Sequence, residues 1–346
     1  MPFFEDLGAR TRAAWESLRR RCGGEGLRSG MKSGVSRLNR GSGRWRAAKW
    51  TVAALAAFCI LYYPIGMAAM HRIDDDPNFA PPKIKDGQSL AVATTMALID
   101  REVNVNGWRA NDPFFLPSAA LDNMPNFQLG MMSALSRFGT ELADQLARTR
   151  GSSQIDPDVE TAMGLLKYPG DVWIFNFSTS MLPTASSESQ YMGAYRALGR
   201  YNERLAAATA VFERRADNLI STLDRISSDL GSSSAQLDRR IQQGGGLIFD
   251  RTSDDVFYRV KGRLYGTYMI LKALGVDFAI VIRDKELGGA WEQMLESFRT
   301  AATLDPLMVA NCDPDAQLCP SHLAAQGFYL LRARTQLQEV SNILLK

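Results

Sequence analysis

The run Trp50–Met70, WTVAALAAFCILYYPIGMAAM, is 21 residues without a charged side chain, and it constrains this chain more than any other stretch. As a helix rising ~1.5 Å per residue it would span ~31 Å, matching the ~30 Å hydrocarbon core of a bilayer. A helix also satisfies its own backbone polar groups, as lipid requires. A cleaved leader would have a short basic start, a shorter apolar stretch and a small-x-small cut site. Here 49 residues precede the run, and Gly66–Ala68 gives only a weak cleavage pattern. A buried core helix is the remaining alternative, disfavoured by six basic residues between Arg28 and Arg46. The expectation is an uncleaved anchor.

The flanks carry opposite charge. Residues 1–49 hold twelve Lys/Arg and four Asp/Glu, whereas 28 basic and 33 acidic residues follow Met70. Basic residues retained on the cytoplasmic side orient single spans. Arg44, Arg46 and Lys49 stand directly before the run, and Asp74, Asp75 and Asp76 follow it. This predicts an N-terminus inside and the remainder outside, with Trp50 in one headgroup belt and Tyr62 and Tyr63 toward the other. Pro64 would loosen the last turns or mark the helix exit. Further upstream, Phe3, Phe4, Leu7, Thr11, Ala14, Trp15 and Leu18 recur at helical spacing among arginines. That pattern predicts a helix lying in an anionic membrane surface, with Trp15, Arg44, Arg46, Lys49 and Trp50 as interface residues. A nucleic-acid-binding tail is the rival reading. It is less favoured because the Gly/Ser-rich linker tethers these charges beside lipid, so no nucleic-acid partner is expected.

The chain thus divides into a basic segment (1–49), a span (50–70), a Pro-rich stalk (71–85) and a large outer domain (86–346). The outer domain reads as mostly α, a helical bundle. Apolar periodicity predicts a helix over Ser89–Asn104 and another carrying Phe127, Met131, Leu135, Phe138, Leu142 and Leu146. Asp156–Pro157 starts a third, as an N-cap followed by proline at the first helical position. Ten apolar positions from Leu198 to Leu230 alternate three and four apart and predict one continuous rod of ~50 Å. Its stripe fits an intrachain core, with self-association through the 198–230 helix as the second use. A turn or kink is expected at Gly231–Ser234. Further helices are expected over Phe257–Leu271, ended by Gly275, over Trp291–Leu304, and over Leu323–Leu345. Two short runs, Val172–Phe177 and Gly246–Phe249, read as one short strand pair.

Little catalytic chemistry is present. His71 and His322 are the only histidines, and no nucleophile-elbow, zincin or phosphate-loop pattern occurs. Carboxylate pairs remain as candidate acid–base groups, but their abundance singles none out. No catalytic residue, cofactor or metal is therefore assigned. Cys312 and Cys319 lie in one loop that the topology places in an oxidising compartment, so a disulfide is expected. Zinc with His322 lacks a fourth ligand, and free thiols are the other alternative. The most unusual stretch is Gly107–Gly130, where aromatic rings alternate with carboxamides and carboxylates. Rings stack and amides direct hydrogen bonds, so Trp108, Asn111, Asp112, Phe114, Asp122, Asn123 and Asn126 are candidate ligand or partner contacts. The plainer reading, and the favoured one, is a crossover whose Asn and Asp cap helices while its rings fill core. Arg148, Arg150, Ser152, Ser153 and Asp156 form a second polar cluster, read as an interhelical loop before a candidate anion site.

The peptides NDPFF, LDNMPNFQLG, RGSSQIDPD, RADNLISTLDRI, KGRLYGTYMILKALG and HLAAQGFYLLRARTQL resemble a proteobacterial family filed as domain of unknown function twenty-three thirty-three. The likeness extends over roughly Trp50 to Lys346. It implies a single-span inner-membrane protein with its outer domain in the periplasm, and it carries no activity, cofactor or catalytic residue. The functional expectation is a signal-anchored binding or scaffolding module of the cell envelope, with the lipid bilayer and an envelope protein or peptidoglycan as partners. A carboxylate-dependent cell-wall hydrolase or transglycosylase-like enzyme is the alternative. A sensor reading is weaker, because 49 residues leave no room for a signalling domain.

Overall fold

A computed structural model describes residues 43–147, 155–175, 182–244, 250–314 and 316–346. Trp15 with its proposed surface helix, Arg148, Arg150, Ser152, Ser153 and the Gly246–Phe249 run lie outside the described residues. The chain forms two compact units, Met1–Pro64 and Ile65–Lys346.

Helix α1 (Gly43–Met70) begins before the apolar run and belongs to the first unit as far as Pro64, its last residues to the second. Arg46, Lys49 and Trp50 are exposed in its first turns. From Trp45 to Met70 it is long and apolar enough to cross a membrane, and none of its most apolar window is buried. Pro64 lies inside this helix, which continues to Met70.

In the second unit the fold is all helix, as the periodicity predicts. Helix α2 (Leu90–Asp100) is capped by Ser89 and runs on through a π turn, Arg101–Val105. A 3-10 turn at Pro117–Ala120 precedes α3 (Asn123–Glu141), which ends in a second π turn, Leu142–Leu146. Helix α4 (Pro157–Leu166) starts at the Asp156 cap, whose carboxylate accepts from the Asp158 and Val159 amides. Then come α5 (Ser187–Ala206), α6 (Ala216–Gln242), α7 (Arg251–Asp277), the short α8 (Ala279–Asp284), α9 (Gly288–Ala302) and α10 (His322–Leu344).

Helix α7 is the axis of the core. Phe257, Leu264, Tyr265, Leu271 and Leu274 are all buried along it. It packs against α3, α9 and α2, while α10 closes against α6 and α9. The α3–α7 contact is backbone on backbone. A Cβ on Gly130 would lie 2.0 Å from the Arg259 carbonyl oxygen, and one on Gly262 would lie 2.0 Å from that of Phe127. Only hydrogen fits at either crossing point, so these glycines set how closely the helices approach.

Four expectations are corrected. The rod over 198–230 is broken: α5 stops at Ala206, the chain passes through Ala208 in the left-handed region (φ 54°), and α6 starts at Ala216. Apolar spacing continued across the break because both helices turn the same kind of stripe to one core. Leu198, Tyr201, Leu205, Phe212, Leu219, Leu223, Ile226 and Leu230 are all buried there. Conversely, no turn occurs at Gly231–Ser234, since α6 runs through it to Gln242. Gly275 does not end α7. It lies inside the helix, where a Cβ would fall 2.5 Å from the Trp291 indole nitrogen. The expected strand pair is not among these, because Gly246–Phe249 lies outside the described residues; residues 172–175 are irregular, and among the described residues the one bridge is Asn311 with Ser321.

The expected stalk is the fourth. Residues 71–85 are extended and Pro-rich, yet they lie along the domain rather than standing off it. Lys261 on α7 is 2.8 Å from Asp75, Tyr265 donates to the Asp76 carbonyl, and Lys272 donates to that of Pro77. The segment is a strap.

Candidate functional site

The candidate contacts of Gly107–Gly130 divide among three places. Trp108 is buried edge-on to Tyr191, with ring centroids 5.0 Å apart, and its indole N–H donates to the Gly170 carbonyl at 2.8 Å. Asn111 beside it donates to the Val172 carbonyl and to Glu188, both at 2.8 Å. Asp112 accepts from the Ser118 hydroxyl and faces Arg109 at 3.4 Å. Trp108 and Asn111 hold the crossover against the α4–α5 loop, while Asp112 ties the crossover to itself.

The second group sits where α3 and α7 begin. Asp122 caps α3 and pairs with Arg251 at 3.2 Å. With its side-chain amide turned so that the nitrogen faces the carboxylates, Asn123 donates to Asp122 at 3.1 Å and to Asp254 at 2.5 Å. Asn126 donates to Asp255 at 2.7 Å and accepts from Arg259 at 3.0 Å. Burial, with Asp122 and Asp255 nearby, pushes the Asp254 carboxyl up to about 6. Phe114 forms the third place, 84% exposed and ring-to-ring with Phe115.

A concave site the sequence reading missed lies under the strap. Phe79–Ile84 form one wall, Ala93, Met96 and Ala97 of α2 another, and Tyr195 and Gly199 of α5 the third. The groove measures about 1090 Å³ and follows α2 from Ala93 to Val105, a distance of ~18 Å at the helical rise. A Cβ on Gly199 would sit 3.2 Å from the Met96 methyl, so glycine there keeps the groove open. Its rim mixes signs: Lys83, Arg196 and Arg200 against Asp74, Asp100 and Glu203.

The floor is a buried charge centre. The Arg101 guanidinium meets Glu102 at 2.9 Å, the Tyr265 hydroxyl at 2.9 Å and Asp74 at 3.3 Å, and it stacks over Phe79 with 4.6 Å to the ring centroid. Gln128 and Asn106 each donate to Glu102 at 3.1 Å. Burial pushes the Glu102 carboxyl above its ordinary value, against the pull of Arg101 and these donors. One helical turn along α7 from Tyr265, Lys261 is only 1% exposed, between Asp75 at 2.8 Å and Asp305 at 3.3 Å. The aspartates that follow the apolar run thus answer two cations sunk in the core. The hint in the sequence was Arg101 and Lys261 each standing within an apolar helical stripe. Arginine and lysine are buried in this way when paired.

Carboxylate chemistry finds poor footing in this groove. Glu203 is held below its ordinary value by the hydrogen bond from Lys85 at 2.6 Å, the reverse of what a proton donor requires. Elsewhere, Glu141 is buried between Arg137 at 3.9 Å and Arg225 at 3.4 Å, and burial pushes it up to about 7. Among the described residues, no group of three or more His, Cys, Asp or Glu could hold a metal ion. Cys312 and Cys319 are joined in a disulfide with Cα atoms 5.8 Å apart, and His322 instead accepts from the Ala310 amide through Nδ1 at 2.9 Å.

A family model described as an uncharacterized protein conserved in bacteria (DUF2333) matches residues 81–245. This agrees with the resemblance drawn from the peptides, over a narrower range. The match begins in the strap wall of the groove and ends just past α6, so the 261–275 and 322–337 peptides fall outside it. No curated protein and no solved structure matches the chain.

Proposed function

Starting from that bacterial family match, we propose that the chain is a single-pass inner-membrane protein whose helical domain works in the periplasm as a binding module. The basic segment before α1 would remain in the cytoplasm, following the charge asymmetry of the flanks. The observation that carries the reading is the strap. It fastens the domain to the end of α1 through Asp74 and Asp75, and it also forms one wall of the groove. A ligand seated there is held close to where the chain leaves the anchor.

The occupant that fits is an extended apolar segment of another envelope protein. A slot of ~18 Å takes about five residues of extended chain. Proline, methionine and aromatic walls suit apolar side chains, and a rim of both signs does not select a polyanion. A cell-wall hydrolase needs an acid and a base flanking one bond, and Glu203 is tuned away from the acid's role.

Two experiments test this. A reporter fused after Lys346 is expected to be active only in the periplasm, and cytoplasmic activity overturns the topology. A photoreactive residue at Met96 of the full chain is expected to capture an envelope protein in native membranes. Gly199→Trp, which fills the groove, should abolish that adduct while the protein still melts cooperatively. An undiminished adduct in G199W, or release of muropeptides from purified sacculi by the wild-type chain, reverses the reading.

A further inference from the structure

The exposed aromatic loop has a second role available. Phe114 (84% exposed), Phe115, Ile174, Phe175 and Leu182 (73% exposed) are large apolar side chains at the surface. The rings of Phe114, Phe115, Trp173 and Phe175 run edge to face, with centroids 5.7, 5.8 and 5.4 Å apart. Such a row is a shaped surface rather than scattered apolar atoms.

Its position says what covers it. The last residues of α1, from Ile65, belong to the same compact unit as the domain. A Cβ on Gly66 would lie 2.3 Å from the Pro117 ring, so the end of α1 sits directly on the 3-10 turn. Phe114 is three residues from Pro117, within ~10 Å along the chain. A second exposed apolar group lies near the same exit. Asp75, five residues past Met70, shares Lys261 with Asp305. Two residues beyond Asp305 stands Leu307, exposed at 106%, followed by the exposed Met308. Asp74 and Asp75 meanwhile turn their charges inward onto Arg101 and Lys261, which leaves fewer anionic groups to oppose contact with lipid.

We propose that Phe114, Phe115, Ile174, Phe175 and Leu182, with Leu307 and Met308, form a membrane-contacting face that dips into the outer headgroup–acyl boundary of the bilayer that α1 crosses. Aromatic rings favour that boundary, and apolar residues gain by entering it. The face would hold the domain down on the membrane and fix the height of the groove above it. The inference rests on the single-span reading of α1.

The test uses the full chain in nanodiscs of phosphatidylethanolamine and phosphatidylglycerol, with p-benzoylphenylalanine placed singly at Phe114, Leu307, Ile280 or Phe58. Phe58 lies within α1 and reports on the span itself. Ile280 is exposed but follows the far end of α7, whose last residue is ~24 Å along the helix from Lys261. Lipid adducts are expected at Phe58, Phe114 and Leu307, with background only at Ile280. Adducts at Phe58 without any at Phe114 and Leu307 overturn the membrane face and leave the span standing. Their loss at Phe58 overturns the span and the face with it. Capture of protein instead of lipid at Phe114 also overturns the proposal, since the face would then be a protein interface.

Discussion

Two buried centres in this domain each set a glutamate against arginine, and they differ in how well its oxygens are met. Beneath the strap, Arg101, Glu102, Lys261, Asp74 and Asp75 meet at 2.8–3.3 Å, and amide donors complete the Glu102 carboxylate. At the end of α3, Glu141 has arginines on two sides, yet they stand 3.4 and 3.9 Å away and neither of its oxygens finds a hydrogen-bond partner. Burial costs both centres the hydration of their charges. Only the first regains it through close, directed contacts. Burial raises the carboxyl in both centres, Glu102 as well as Glu141, but only the strap centre answers that cost with hydrogen bonds close enough to act as a fastening.

Removing one member from each part of the first centre gives the largest expected effects. Glu102→Ala leaves Arg101 sunk in the core without its closest carboxylate, with only the part-exposed Asp74 to answer its charge, and should cost about 3–5 kcal/mol. Denaturant unfolding of the full chain in detergent measures this, and a loss below ~1 kcal/mol would mean that the centre is not desolvated as its burial implies. Asp75→Ala should cost less, about 2 kcal/mol, because Asp305 still faces Lys261 at 3.3 Å. It should also loosen the strap, so that trypsin cuts faster at Lys83 and Lys85. Adding Lys261→Met, an apolar side chain of similar length, should recover most of the stability without restoring the strap. Recovery of both would show that the aspartate does not hold the strap down.

The same contrast explains what could be read in the chain before its structure was known. The start of α4 was legible because capping is local: the Asp156 carboxylate accepts from the amides two and three residues on. The start of α3 was not, since its apolar stripe opens at Phe127 and the helix is capped earlier, by Asp122. Nor was the break at Ala207–Arg215, because two helices facing one core carry the same apolar spacing as a single rod. In the Gly107–Gly130 segment, residue types were right for recognition, but their partners are long-range. Asn111 meets Val172 and Glu188, and Asn126 meets Asp255 and Arg259. Composition does not say whether an amide faces solvent or its own chain. The strap shows the same limit, since three aspartates beside prolines resemble a solvated spacer until Arg101 and Lys261 are found beneath them.

The smallest of these effects tests the second centre by pH alone. The Glu141 carboxyl is raised from an ordinary 4.5 to about 7, chiefly by burial, against the pull of Arg225 and Arg137 and with a push from Asp144. A raised folded-state value means the folded chain holds this proton more tightly than the unfolded one. The stabilisation is complete below pH ~4.5 and is lost as pH rises through about 7. Glu141→Gln keeps the shape and cannot ionise. It should match the parent chain near pH 4.5 and be more stable at pH 8, by on the order of 2 kcal/mol. Asp254 titrates with the same sign in both proteins, so the difference between the two melting profiles isolates Glu141. If Gln is instead destabilising at pH 8, the arginines bind an ionised Glu141 closely in solution, and the two centres are alike after all.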